Sequence, residues 1–424
     1  MSRLAIIGTG IAGLASAHFL HERFDLRIYE QNDYIGGHTN TITVDENGST
    51  VSLDTGFMVY NEVTYPNLTR LFRELDVETK PTDMSFSVQH LPSALEYNGT
   101  SVNLLFGQRR NLIKPSFWRL LLAINRFNSE AVLAIEDPRY AEMTLREYVA
   151  ARDYGDDMLE RYLVPMSSAV WSTPPELMLE FPAVTLLRFW HNHGFLGLDT
   201  QHPWRTVVGG SRSYVQKIVR PFQNRIQLGC RAVRVNRSLN KVQIIAADGS
   251  EAEYDKVILA CHGDQALHLL AAPTELESRL LREFKYQPNL AIVHRDVSVM
   301  PRTRRCWASW NYRLSRGASG RLMPTVHYWM NRLQGVSENA DYFVSLNAEE
   351  EIDPAQVMRR IEYEHPLFNC AAIRAQKELP QLNNLSREQT TYYCGAWFKY
   401  GFHEDGLTSA LHCARAITAD PLWA

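Results

Sequence analysis

A chain of 424 residues exceeds what one typical core accommodates, so two domains are expected. Hydrophobic residues make up 45% and charged residues 21%, the balance of a globular protein rather than a disordered or fibrous one. A formal net charge of −3 leaves no basic footprint, so nucleic acid is not expected as a partner.

Leu4-Ala5-Ile6-Ile7 is a short unbroken apolar run, the pattern of a parallel strand buried on both faces. It runs into Gly8-Thr9-Gly10-Ile11-Ala12-Gly13, a G-x-G-x-x-G sequence, and a helix is expected from Ile11 to Glu22. Leu26-Arg27-Ile28-Tyr29-Glu30 then reads as a second strand closed by an acid. In such a unit Gly8 allows the tight turn, Gly10 lets the backbone approach a pyrophosphate, and Gly13 lets helix and sheet pack closely. The helix start at Ile11 and Ala12 offers unpaired N–H groups and a positive dipole end to phosphate. Glu30, with Gln31 beside it, stands where a carboxylate accepts hydrogen bonds from both ribose hydroxyls and disfavours a 2′-phosphate. A lone G-x-G-x-x-G is weak evidence. With strand, helix, strand and acid in register, it predicts a dinucleotide site.

Asp33-Tyr34-Ile35-Gly36-Gly37-His38-Thr39 comes next, then Val51-Ser52-Leu53-Asp54-Thr55-Gly56-Phe57-Met58-Val59-Tyr60. Lys114 to Phe127 contains an apolar core with Trp118 near its start, surrounded by Arg109, Arg110, Arg119 and Arg126. That stretch admits two readings: a helix lying in a membrane interface, or one packed on a substrate domain with solvated arginines. Trp204 to Tyr214 contains a further glycine pair. Arg231–Val235 and Lys241–Ile245 alternate as a hairpin, and Asp255–Ala260 reads as another strand. Near the end, Tyr392-Tyr393-Cys394-Gly395-Ala396-Trp397 is a strand and glycine turn. It leads through Gly401-Phe402-His403-Glu404-Asp405-Gly406 to a helix with Leu407, Ala410, Leu411, Ala414 and Ile417 on one face.

Six cysteines are scattered without C-x-x-C spacing, so neither a disulfide framework nor a metal site is expected. No apolar run reaches the ~18 residues that span a bilayer, and glycines break the start at once. The expected location is the cytoplasm, with peripheral contact at the inner membrane face as an extension.

These segments resemble the flavoprotein family of monoamine oxidases, protoporphyrinogen oxidases and phytoene desaturases. Gly36-Gly37-His38-Thr39 is similar to its G-G-[R/H]-[ST] extension, where the glycines face the phosphates and the basic residue lies over the ribityl or phosphate region. Asp54-Thr55-Gly56, with Phe57 and Met58, looks like the D-x-G loop that passes the isoalloxazine ring, where glycine permits close approach. Gly395 and the stretch through Asp405, Gly406 and Leu407 resemble the C-terminal motif, in which a helix N-terminus stabilises charge at the flavin O2. In relatives the first hairpin strand touches adenine through its backbone, here at Val233. Two departures stand out. Ala396 replaces the family's acid, and one additional residue shifts the register around Gly406. The resemblance implies FAD, held non-covalently because no cysteine occupies the thioether position near the last helix. It also implies an α/β fold: a Rossmann-like FAD-binding domain of the glutathione-reductase type (1–60, 205–265, 388–424) and an inserted α+β substrate domain (61–204, 266–387).

Met300 to Tyr312 and Thr325 to Gln334 are similar to a narrower branch of FAD/NAD-binding oxidoreductases, associated with cyclopropane-fatty-acid-synthase-like methyltransferases. That likeness implies a fatty-acyl lipid or other apolar small molecule as substrate, and a lipid methyltransferase as partner. Trp307, Trp310, Tyr312, Tyr328 and Trp329 are candidates to line an acyl tunnel. The expected reaction is dehydrogenation of an unsaturated or modified acyl chain by hydride transfer to flavin N5, with Tyr60 and His403 as candidate proton acceptors. Two alternatives stand beside it. One is a flavin amine oxidase, although Pro288-Asn289 precedes the strand where such enzymes carry a lysine. The other is a non-redox flavin-binding accessory protein or isomerase.

Overall fold

Leu4, Ala5 and Ile6 have no exposed surface and Ile7 very little, so the strand Arg3–Ile7 needs neighbours on both sides and layers on both faces. The computed structural model, which describes residues 1–197, 200–316, 322–383 and 389–423, supplies them. Arg3–Ile7 is the middle of a five-stranded sheet, flanked by Asp25–Tyr29 and then Ile226–Gln227 on one side. Lys256–Leu259 and then Thr391–Tyr393 lie on the other, every pair parallel. Parallel strands require crossovers, and the helix Ile11–Leu20 is the first of them. It ends two residues earlier than expected. The amides of Arg23 and Phe24 close onto the Leu20 carbonyl, which turns the chain so that the Asp25 amide reaches the Ser2 carbonyl.

The last helix, His403–Thr418, lies against Ile11–Leu20. It begins at His403, three residues before the expected Gly406, because the Asp405 carboxylate accepts the Phe402 and Tyr400 amides and caps the first turn. A short 3-10 turn at Ala396–Phe398 takes up the additional chain between strand and helix. The hairpin Ala232–Arg237 with Val242–Ala246 continues into Glu251–Tyr254 as a separate antiparallel sheet, and its register shifts between Ala232 and Arg234. Val233 sits at that bulge.

The other large sheet has seven strands, in the order Val357–Leu367, Lys285–His294, Phe343–Leu346, Leu322–Trp329, Trp310–Arg316, Phe86–His90 and Leu95–Asn98. Its pairs are antiparallel except Trp310–Arg316 with Phe86–His90. Helices Pro115–Ala134 and Ala183–Asn192 pack together beside it, Phe127 meeting Trp190 edge-on at 5.9 Å. A small sheet of Tyr60–Asn61, Trp204–Val207 and Thr79–Thr82 straddles the expected domain boundaries at 60 and 205. The boundary at 387/388 lies outside the described residues.

Within the large sheet two fully buried histidines form a directional chain. The Asp296 amide donates to His294 Nδ1 at 3.1 Å, so Nε2 carries the proton and donates to Ser345 Oγ at 2.6 Å. Ser345 then donates to His327 Nδ1 at 2.7 Å, and His327 Nε2 to Thr325 Oγ1 at 2.9 Å. Every link is satisfied when both rings are neutral. Burial accordingly lowers His294 to about 4 and His327 well below its ordinary value. The unfolded chain takes up these protons near pH 6.5 and the folded chain does not, so stability present above 6.5 is lost as pH falls towards 4. For His294 alone the loss at pH 5 is about 2 kcal/mol. Urea midpoints measured from pH 7 down to pH 5 should fall, and His294→Gln should flatten that dependence.

Candidate active site

A cavity of about 940 Å³ runs along the carboxyl ends of the parallel strands, where open parallel sheets bind their ligands. Its size lies near the top of the ~300–1,000 Å³ range of ligand pockets. One wall is the first glycine loop. Gly8 has φ +105°, which L side chains rarely adopt, and Gly13 presses behind it, where a Cβ would lie 1.9 Å from the Gly8 carbonyl oxygen. Gly10, Ile11 and Ala12 face the cavity at the start of the helix. Glu30 is buried in the same wall. Its carboxylate accepts the Thr9 amide at 3.0 Å and the Asn32 amide at 2.9 Å, so its orientation is fixed before any ligand arrives. Gln31, Gly37 and Val233 also line this polar arm, joined by Cys261, His262, Gln265 and His268, which sequence reasoning missed.

The second wall is built on Gly56. A Cβ there would lie 2.1 Å from the His38 carbonyl oxygen, and the Phe57 amide donates to that same oxygen at 2.8 Å. The two loops are thereby pressed together, with Gly56, Phe57, Met58 and His38 facing the cavity. Gly395 completes the wall from the other end of the chain, its amide held by Ser409 at 2.9 Å.

The titratable groups differ from expectation. His38 stacks on Tyr363 at 4.9 Å and lies 5.2 Å from His365. Burial, then the neighbouring histidines, hold its pKa well below the ordinary value, so it faces the cavity as a neutral ring and not as a cation. Its Nε2 is buried and has no partner within the protein. His403 lines the cavity with its Nε2 already engaged. Its Nε2 is taken by Thr39 Oγ1 at 2.9 Å and Tyr214 Oη at 3.0 Å, its ring stacks on Phe57 at 3.8 Å, and burial lowers its pKa to about 3. Tyr60 is not in the wall at all. It sits in the small straddling sheet opposite Arg205, its hydroxyl donating to Thr79 Oγ1 at 3.3 Å. Thr39, Asp405, Gly406 and Leu407 likewise stand behind the wall. Thr39 orients His403, and Asp405, raised to about 7 by burial, caps the last helix. Gly406 lets that helix approach Ile11, and Leu407 is core.

Beyond the polar arm the cavity continues between Met84, Val170, Trp171, Phe189, His193, Phe195, Trp204, Leu333 and Leu346. Trp310 and Tyr328 join them, their rings stacked at 6.1 Å across adjacent strands. The other three aromatic candidates do not. Trp307 and Trp329 flank the Arg304 guanidinium, and Tyr312 is buried core. Contrary to expectation, Pro288-Asn289 lie within the strand Lys285–His294 and do not precede it; the strand begins on Lys285, which is exposed, and no lysine is among the residues lining the cavity.

The arrangement fits a flavin dinucleotide. The open face at Gly10, where a Cβ would meet nothing within 4 Å, would admit a diphosphate, and the preset Glu30 carboxylate could accept from a ribose. The unpartnered His38 Nε2 awaits a ligand atom. Gly56→Ala should separate the two loops and reduce the flavin content of purified protein at least tenfold. Glu30→Ala should do so by a similar factor, because it also leaves the Thr9 and Asn32 amides without acceptors. Absorbance of the flavin band per mole of protein measures both.

Among solved structures the same fold appears in putrescine oxidase bound to putrescine (TM-score 0.68, 12% identity, 99% of each chain covered). It appears also in cyclohexylamine oxidase from Brevibacterium oxydans IH-35A (TM-score 0.68, 14% identity, 98% of each chain). A third is the CLA-producing fatty acid isomerase from P. acnes (TM-score 0.65, 14% identity, 96% of this chain and 97% of that one). No curated protein matches the sequence. The family model for flavin containing amine oxidoreductase matches residues 11–295, more than half of the chain, and the protein belongs to that family of flavin-dependent enzymes.

Proposed function

We propose that the protein is an oxidoreductase with non-covalent FAD that dehydrogenates an unsaturated or modified fatty-acyl chain. The observation that carries this reading is the composition of the second cavity arm. Met84, Val170, Phe189, Phe195, Leu333 and Leu346 line the cavity with tryptophans between them, while its carboxylates are Glu30, Glu362 and Glu364. An amine substrate bearing a charge would lose its hydration against these apolar side chains. An acyl chain gains from the same surface. Bound flavin supplies the acceptor for a hydride equivalent from carbon.

The protein's own part is to hold the chain, exclude water and handle the companion proton. His193 is one group lining the cavity with a lone pair to offer. Its Nδ1 contacts the Phe189 carbonyl at 2.9 Å and must carry the ring proton, which leaves Nε2 as an acceptor. Burial lowers it to about 4, a weak base. That weakness favours a second reading, double-bond isomerisation, in which hydride is withdrawn and returned and no net proton acceptor is needed. The CLA-producing fatty acid isomerase shares the fold, which supports it. The free cysteines suit a reducing compartment such as the cytoplasm. A methyltransferase acting on unsaturated acyl chains is the fitting supplier of substrate.

Anaerobic addition of unsaturated or methylated acyl phospholipids should bleach the flavin band and give a product two mass units lighter. A product of unchanged mass with a moved double bond, and no bleaching, selects isomerisation. Bleaching by a panel of amines but not by lipids would overturn both in favour of amine oxidation. Met84→Glu should raise the KM for acyl substrate about tenfold while flavin content stays unchanged.

A further inference from the structure

Between Glu96 and Glu130 the chain contains no carboxylate and five bases: Arg109, Arg110, Lys114, Arg119 and Arg126. In a protein of net charge −3 that is a concentrated basic segment. It forms the 3-10 turn Arg109–Ile113 and the helix Pro115–Ala134. One face of the helix is spoken for, since Phe117, Leu120, Phe127 and Ala131 are buried. The outward face is also apolar where it begins. Ile113 is 84% exposed, Leu122 69%, Leu112 47% and Trp118 46%.

These side chains are presented by a firm scaffold. Trp118 Nε1 donates to the Leu112 carbonyl at 2.9 Å, tying the turn to the helix, and the Trp118 ring rests on Phe106 at 5.1 Å. The bases around them are not neutralised alike. Arg126 pairs with Glu130 at 3.0 Å. Arg109 instead donates to the Asn103 and Phe106 carbonyls and to the Asn103 side chain, and Arg110 to the Ala94 carbonyl. None of these partners is a carboxylate. Arg110 and Arg161 also crowd Lys114.

We infer that the face formed by Leu112, Ile113, Trp118 and Leu122, with Arg109, Arg110, Lys114 and Arg119 around it, docks on the surface of an anionic phospholipid bilayer. Apolar side chains enter the acyl boundary while cations meet the headgroup charge, and an indole suits the interface between them. The charge decides among occupants. A symmetric contact with a second copy would set the basic rim against itself, and like charges across an interface oppose it. The docking face is peripheral, since no described helix is long and apolar enough to cross a membrane. It also lies one helix from the active site: Phe127 on its inner side meets Trp190, and the neighbouring Phe189 and His193 line the apolar arm.

The test is co-sedimentation of the flavin-loaded, full-length protein with vesicles of phosphatidylglycerol and phosphatidylcholine in equal parts, against pure phosphatidylcholine. Partitioning should be at least tenfold stronger on the anionic vesicles and should weaken with salt. Ile113→Asn combined with Leu122→Asn, and separately Arg110→Gln combined with Arg119→Gln, should each lower it about tenfold. Leu239→Asn, at another exposed leucine, should leave it unchanged, and flavin absorbance verifies that every variant is folded. Brominated acyl chains should quench part of the tryptophan emission in the parent and not in Trp118→Phe. Equal binding by parent and variants, no binding to anionic vesicles at low salt, or concentration-dependent dimerisation abolished by the same substitutions would each overturn the inference.

Discussion

Asp54 is fully buried, and its carboxylate accepts the Thr41 hydroxyl at 2.5 Å, the Ser211 hydroxyl at 2.8 Å and the Ser211 amide at 2.9 Å. The Gln334 amide reaches its other oxygen at 2.7 Å. Burial pushes the carboxyl pKa up and these donors pull it down. An isolated buried charge is strongly unfavourable, so the arrangement holds together only while every donor is present. Those donors come from three distant parts of the chain: the Thr41–Glu46 strand, the glycine pair before Ser211, and the short helix Met330–Gln334 of the large-sheet region. The residues just after Asp54 form the cavity wall. The contact of Gly56 with His38, the seating of Phe57 on His403 and the bond from Thr55 to Tyr363 at 2.7 Å all depend on where Asp54 is held.

The cavity enclosed by this wall combines low polarity with preset dipoles. His38, His193, His365 and His403 are all shifted towards the neutral form, chiefly by burial. The polar arm keeps its carboxylates at defined points, Glu30 among its amides and Glu364 against His262 at 3.2 Å. The cavity therefore sets a few fixed carboxylates and backbone amides among apolar and aromatic side chains.

The dinucleotide loop was legible because its constraints are local. An unbroken apolar run, three glycines and an acid act on neighbouring residues, so spacing alone places Gly8, Gly10 and Glu30 in the wall. The surroundings of Tyr60 and His403 were not legible for the opposite reason. Whether a side chain faces the ligand, and whether its nitrogen is free, depends on Thr79 for one and on Thr39 and Tyr214 for the other. No spacing within the chain announces those partners. The apolar arm is drawn from segments between residues 84 and 346, so it leaves no contiguous signal. A partial one existed in the strands: successive side chains point to opposite faces. Tyr328 and Trp329 therefore could not both line one tunnel, and register pairs Trp310 with Tyr328.

The two helices that meet at Gly406 and Ile11 both start at the cavity rim, one early in the chain and one late. The edge strand Thr391–Tyr393 is likewise a late contribution to a sheet whose centre is Arg3–Ile7. A nascent polypeptide on the ribosome has the phosphate loop long before it has Gly395 and the closing helix. The cavity wall is thus complete only once translation has passed Gly395 and the helix His403–Thr418. Until Thr391–Tyr393 emerges, the strand Lys256–Leu259 lacks its outer parallel neighbour, and chaperones would have reason to guard that edge.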